Sequence, residues 1–89
     1  MPRVDGQQTV AALGSGDEHS LGAVYDAYAS RLYDYAFGRL RDREAAEDAV
    51  HDALTVAVGR ADTLREPDLV TAWLYALLRN ESIRQEHPP

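Results

Sequence analysis

The 89-residue sequence contains no cysteine, and methionine, tryptophan and phenylalanine occur once each. Without cysteine, neither a disulfide framework nor a thiolate metal site can reinforce the modest core of so small a domain. No segment approaches the roughly 18 apolar residues of a membrane span, and the N-terminus lacks the basic start and apolar segment of a signal peptide. We therefore expect a soluble cytoplasmic protein with no membrane partner.

The sequence also lacks recognisable catalytic motifs, because it has no cysteine nucleophile, glycine-rich phosphate loop or serine elbow. Glu47 and Asp48 precede His51 by four and three residues, so a carboxylate and the imidazole could bind a metal on one helix face. Such a site needs ligands from other helices, and Asp26 and Asp34 come without a histidine. The favoured interpretation is a solvated acidic face, with no enzymatic activity, cofactor or metal.

Acidic residues predominate in the chain. Fifteen aspartates and glutamates oppose nine basic residues, all of them arginine, and the formal net charge is −6. This sign is opposite to the electrostatic footprint of an autonomous nucleic-acid-binding domain. If the protein acts on DNA, another component must supply most of the attraction to phosphate.

Glycine and proline are sparse, and the long segments between them have helical periodicity. We predict an all-α fold, a compact bundle of three main helices plus a short N-terminal helix. Residues 1–16 form the leading helix, at 10–13, and a turn. The main helices are predicted at about 17–40 and 43–59, with Asp42 as an N-cap, and a last helix follows the loop 62–66.

The last helix should begin with Pro67 in its first turn, and its apolar stripe defines a buried face. The stripe contains Val70, Trp73, Leu74 and Leu77, with Tyr75 and Leu78 on its flanks. Because the stripe meets Glu81, the inward face is expected to fade near residue 80. The predicted core positions of the two preceding helices are Leu21, Val24, Tyr28, Leu32, Ala36, Leu40, Ala46, Val50, Ala53, Leu54 and Ala57.

Four segments occur in an order that is more informative than any one alone: "SGDEHSLGAVYDAY", "DREAAEDAVHDAL", "DTLR" and "AWLYALLRN". This series resembles region 2 of the extracytoplasmic-function (ECF) sigma factors of bacterial RNA polymerase, over about residues 10–83. The resemblance implies a compact helical domain, here residues 17–86, with residues 87–89 starting a linker. It also implies a further helix-turn-helix domain in the native protein, of which nothing follows residue 89.

The resemblance implies two binding surfaces. Asp48, His51 and Asp52 match positions that dock on the clamp helices of the largest subunit of core RNA polymerase, and an acidic face suits a basic partner surface. Promoter DNA is the second partner. The residues that match positions for opening the minus-ten element and capturing an unstacked base are Leu64, Arg65, Trp73, Arg79 and Asn80.

The chain departs from the family pattern at three positions. His51 stands where the family usually has glutamine, Leu64 where phenylalanine is common, and Ala76 where arginine usually follows the aromatic motif. From residue 62 onward the chain has three arginines against five acidic residues, which predicts weak DNA binding by this domain alone. An alternative is therefore a sigma-like interaction module that has lost promoter reading and binds a protein such as an anti-sigma factor.

Overall fold

The computed structural model describes residues 6–86 and has four α-helices. They are α1 (Gly6–Ser15), α2 (Glu18–Leu40), α3 (Arg43–Arg60) and α4 (Val70–Glu86), with 3₁₀ turns at Ala61–Thr63 and Pro67–Leu69. Helices α2, α3 and α4 pack against one another, and α1 contacts all three. This confirms the predicted all-α bundle of three main helices and a short leading one. The predicted linker at residues 87–89 lies outside the described residues.

Aspartates define the start of both long central helices. The Asp17 carboxylate accepts hydrogen bonds from the Ser20 backbone N–H at 3.0 Å and from the Ser20 hydroxyl at 2.9 Å. The Asp42 carboxylate accepts from the Ala45 N–H at 2.9 Å, which confirms Asp42 as an N-cap. Only two residues join α2 to α3, so the two helices are antiparallel neighbours.

Two predicted helix boundaries are wrong. Helix α1 begins at Gly6 rather than at residue 10, and α4 begins at Val70 rather than at Pro67. Pro67 instead starts a separate 3₁₀ turn, in which the Leu69 N–H donates to the Glu66 carbonyl at 2.9 Å. The start of α1 packs so closely on this turn that a Cβ on Gly6 would collide with the Pro67 carbonyl. Tertiary packing has therefore extended α1 beyond its apolar residues.

The core lies between α2, α3 and α4 and is closed on one side by α1. Helix α3 contributes mostly alanine, and such small side chains let its neighbours approach closely. Leu21, Leu40 and Leu54, predicted as core residues, are only half-buried at its edge. The buried hydrophobic residues are Leu13, Val24, Tyr28, Leu32, Ala36, Ala46, Ala49, Val50, Ala53, Ala57, Ala61, Val70, Leu74, Leu77 and Leu78.

The prediction for the buried face of α4 needs three corrections. Trp73 is half-buried and lies against the edge of the core, whereas Leu78, predicted on a flank, is fully buried. The buried face also continues past Asn80 through Glu81 and Ser82. The buried stripe of α4 runs through Leu74 and Leu78. Because each residue turns the helix by about 100°, Trp73 lies on the flank of that stripe. The Glu81 carboxylate tolerates burial because it pairs with Arg84 Nη1 at 3.3 Å.

Two polar contacts tie α4 to α2. The Tyr28 and Thr71 hydroxyls are 3.3 Å apart near the start of α4. Near its end, Arg39 Nε is 3.2 Å from the Glu86 carboxylate, and the Arg39 Nη2 donates to the other oxygen of Glu86 at 3.4 Å. These contacts fix both ends of α4 relative to α2, and so fix the direction in which the polar residues of α4 project.

Candidate functional site

Helix α3 presents a strongly acidic surface. Asp48, His51 and Asp52 are all exposed and are spaced i, i+3 and i+4, so they lie on one side of α3. The structure therefore brings the residues predicted to bind polymerase together. The opposite side of the helix is the buried alanine stripe. We call the exposed residues Glu44, Glu47, Asp48, His51 and Asp52 the acidic face of α3.

In the described part of the chain, the acidic face has no ion-pair partner. In residues 6–86 the ion pairs are Arg39 with Glu86 and Arg84 with Glu81, and neither involves α3. The arginines of α3, Arg43 and Arg60, are its first and last residues. Between them the exposed carboxylates remain available to a positively charged partner.

Asp48 and His51, whose spacing allowed a metal site, are both exposed on α3. Across residues 6–86 no group of three or more histidine, aspartate or glutamate side chains is placed to hold a metal ion.

The connection between α3 and α4 carries two of the predicted DNA-binding residues. Leu64 is half-buried against the core, and its N–H donates to the Ala61 carbonyl at 3.2 Å. Arg65, the next residue, is exposed. The packing of Leu64 against the core therefore fixes the position of the exposed Arg65 beside it.

Helix α4 separates the other predicted DNA-binding residues onto two flanks. Trp73 and Asn80 are seven residues apart, so they lie on the same flank, with Ala76 between them. Arg79 follows Tyr75 by four residues on the other flank. There the Tyr75 ring meets the Tyr35 ring of α2 edge to face, with 5.6 Å between the ring centroids. Only the flank of Trp73 combines an aromatic wall with an amide that can donate and accept.

Sequence reasoning missed a groove beside the acidic face. It lies between α1, α2 and α3, and His51 forms part of its wall. The signal that could have found it is Tyr25, which lies on the inward stripe of α2 between Leu21 and Tyr28 yet is exposed. The lining residues are Leu13, Leu21, Val24, Tyr25, His51, Leu54, Thr55 and Val58.

The fold and these surfaces define a small helical domain with an exposed acidic face and a separate flank of aromatic and amide character. The family model described as Sigma-70 region 2 matches residues 24–85, well over half of the chain. The chain therefore belongs to the sigma-70 region 2 family. That family assigns it to sigma factors, which bind RNA polymerase and recognise promoters in transcription initiation.

The other comparisons add no relatives, since neither a curated protein nor a solved structure matches the chain. Within residues 6–86, no helix is long and apolar enough to cross a membrane.

Proposed function

We propose that this chain is the region 2 domain of an ECF sigma factor, a non-enzymatic part of the transcription machinery that acts with core RNA polymerase in the cytoplasm. The ordered motif series in the sequence supports the ECF assignment. The observation that carries the polymerase-binding role is the grouping of Asp48, His51 and Asp52, all exposed, on the unpaired acidic face of α3.

The partner for this face is the pair of clamp helices in the largest polymerase subunit. Complementary charge steers the encounter and fixes the register of docking. The net charge of −6 also keeps the free domain from binding nonspecific DNA, because the phosphates carry charge of the same sign. Polymerase binding then brings the domain to promoter DNA, which the domain attracts poorly by itself.

The polymerase role is tested by reversing one charge on the acidic face. Asp48→Arg should weaken binding to core polymerase by at least about tenfold, since facing like charges cost several kcal/mol. Asp34→Arg is the matched control, because Asp34 is exposed on α2 and makes the same change in net charge. Equal binding of all three proteins, or equal loss in both variants, would overturn the assigned docking face.

For the promoter, we propose that Trp73 and Asn80 on one flank of α4, together with Leu64 and Arg65, receive an unstacked base of the minus-ten element. Flipping a base costs a few kcal/mol of stacking, and a pocket must offset that cost through apolar contact and hydrogen bonds. The Asn80 amide is exposed, on the same flank of α4 as Trp73. Arg79 projects from the opposite flank, where its role is attraction to phosphate.

A second candidate function is a sigma-like module that binds a regulatory protein such as an anti-sigma factor and has little promoter reading. Two observations favour it. Ala76 is exposed between Trp73 and Asn80, so this flank has no cation at its centre. Arg84 pairs with Glu81, and Arg39 with Glu86, which leaves few unpaired cations near the end of α4.

One assay separates the two functions. Polymerase assembled with the chain is titrated with a fluorescent single strand that carries a minus-ten element. Promoter reading predicts that Asn80→Ala weakens binding on the order of tenfold, because a two-point contact from asparagine to a base contributes about 1–3 kcal/mol. Gln8→Ala, which removes an exposed amide from α1, should change nothing. If Asn80→Ala binds as well as the parent chain, the interaction module is the better description.

A further inference from the structure

Tyr25 is far more exposed than its place in the helix predicts. It follows Leu21 by four residues and precedes Tyr28 by three, so it lies on the inward stripe of α2. Tyr28 is 4% exposed, whereas Tyr25 is 47% exposed. Among residues 6–86 nothing covers this inward residue, so the first two turns of α2 face an unfilled groove.

The groove has the size and lining of a socket for one side chain. Its volume is about 170 Å³, and a void of roughly 150 Å³ is enough to hold a benzene molecule. Leu13 of α1, Leu21 of α2 and Val58 of α3 contribute apolar walls from three different helices. Thr55 and His51 of α3 and the phenol of Tyr25 are its polar contributors.

The groove is acidic at its rim. Glu47 lies one turn before His51 on the same side of α3, and Asp48 is three residues from His51. Asp17 and Glu18 lie one turn before Leu21 at the start of α2. Because α2 and α3 are antiparallel, these two pairs mark opposite ends of the groove. An apolar side chain that enters it should therefore come from a segment with positive charge on both sides.

We propose that the groove binds a bulky apolar side chain carried by a basic amphipathic helix of core RNA polymerase. His51 belongs both to the groove and to the acidic face, so one partner helix can contact both surfaces at once. This inference rests on the proposed polymerase-binding function and adds an apolar anchor to it. A second copy of the chain is a poor occupant, because it would bring a net charge of −6 against this acidic rim.

The anchor is tested by filling the groove from within. Thr55 is exposed and lines the groove, and its hydroxyl bonds only to the His51 carbonyl at 2.9 Å, so Thr55→Phe should fold normally. We expect it to weaken binding to core polymerase about tenfold or more, as loss of a central anchor does. Ser30→Phe, on the exposed side of α2, is the matched control and should bind within about twofold of the parent chain.

The results also separate this inference from the function on which it rests. If Asp48→Arg abolishes binding while Thr55→Phe binds like the parent, the docking face stands and the apolar anchor is overturned. If the parent chain does not bind core polymerase, both fall. As a second measurement, a photo-crosslinking phenylalanine analogue at Tyr25 should form an adduct with the largest polymerase subunit. Intact binding without that adduct would count against the groove as part of the interface.

Discussion

The two halves of α2 show the same stripe of inward residues in two different environments. In the C-terminal half, Leu32 and Ala36 are sealed between the other helices and have no exposed surface. In the N-terminal half, Leu21 is half-buried and Tyr25 is exposed above the groove. One continuous pattern in the sequence therefore forms sealed core at one end and the wall of an open groove at the other.

This difference explains why periodicity alone predicts folding better than it predicts function. A stripe shows which side of a helix faces its neighbours, but it does not show whether those neighbours are long or bulky enough to close over it. At the sealed end α3 and α4 both cover α2, while at the open end the walls come from α1 and α3 and leave a gap. The acidic face of α3 meets this open end only at His51, because α2 and α3 are antiparallel and the rest of the face lies beside the C-terminal half of α2. Charged and apolar surface are therefore adjacent at His51.

The largest expected effect comes from truncating one leucine in each half. Leu32→Ala should lower the free energy of unfolding by about 2–5 kcal/mol, because it leaves a cavity in the sealed core. Leu21→Ala should cost about 1 kcal/mol, because the side chain borders an open groove and much of its surface already meets solvent. Urea unfolding of both variants measures the difference. Equal losses would mean that the N-terminal half of α2 is as tightly packed as the rest.

The sequence predicted most of the fold because the determinants are local. The Asp42 cap, the inward positions Val24, Leu32 and Ala36, and the two-residue link between α2 and α3 follow from residue type and spacing. The grouping of Asp48 with Asp52 also follows from helical spacing alone. These features depend on one helix at a time.

What the sequence did not predict depends on several helices together. Trp73 is three residues after Val70 and four before Leu77, so spacing alone places it on the buried stripe. The true centre of that stripe is set by how α4 lies against both α2 and α3. The groove likewise has walls from three helices, so the position of Tyr25 on α2 could indicate it but could not predict its shape.

The second prediction concerns the flank of α4 at the sealed end. Trp73→Ala should destabilise the protein by about 1–2 kcal/mol, less than the 3–5 kcal/mol typical of a fully buried tryptophan, because half-burial removes less apolar surface from water. Leu74→Ala, one residue away on the buried stripe, is the reference and should cost about 2–5 kcal/mol despite its smaller side chain. If thermal melts show a larger loss of stability for Trp73→Ala than for Leu74→Ala, Trp73 is a core residue.

The smallest expected effect concerns the backbone conformation at the two ends of α2. Gly16 before the helix and Arg41 after it both have positive φ, 69° and 56°, a conformation that glycine adopts without strain. Arg41→Gly should therefore raise stability by about 0.5 kcal/mol, since relief of strain exceeds the added freedom of the unfolded chain, and the melting temperature should rise by about 2–4 °C. Gly16→Ala should lower stability by about 1 kcal/mol although its Cβ would meet open space. If both substitutions lower the melting temperature, the Arg41 side chain contributes more at the sealed end than its backbone costs.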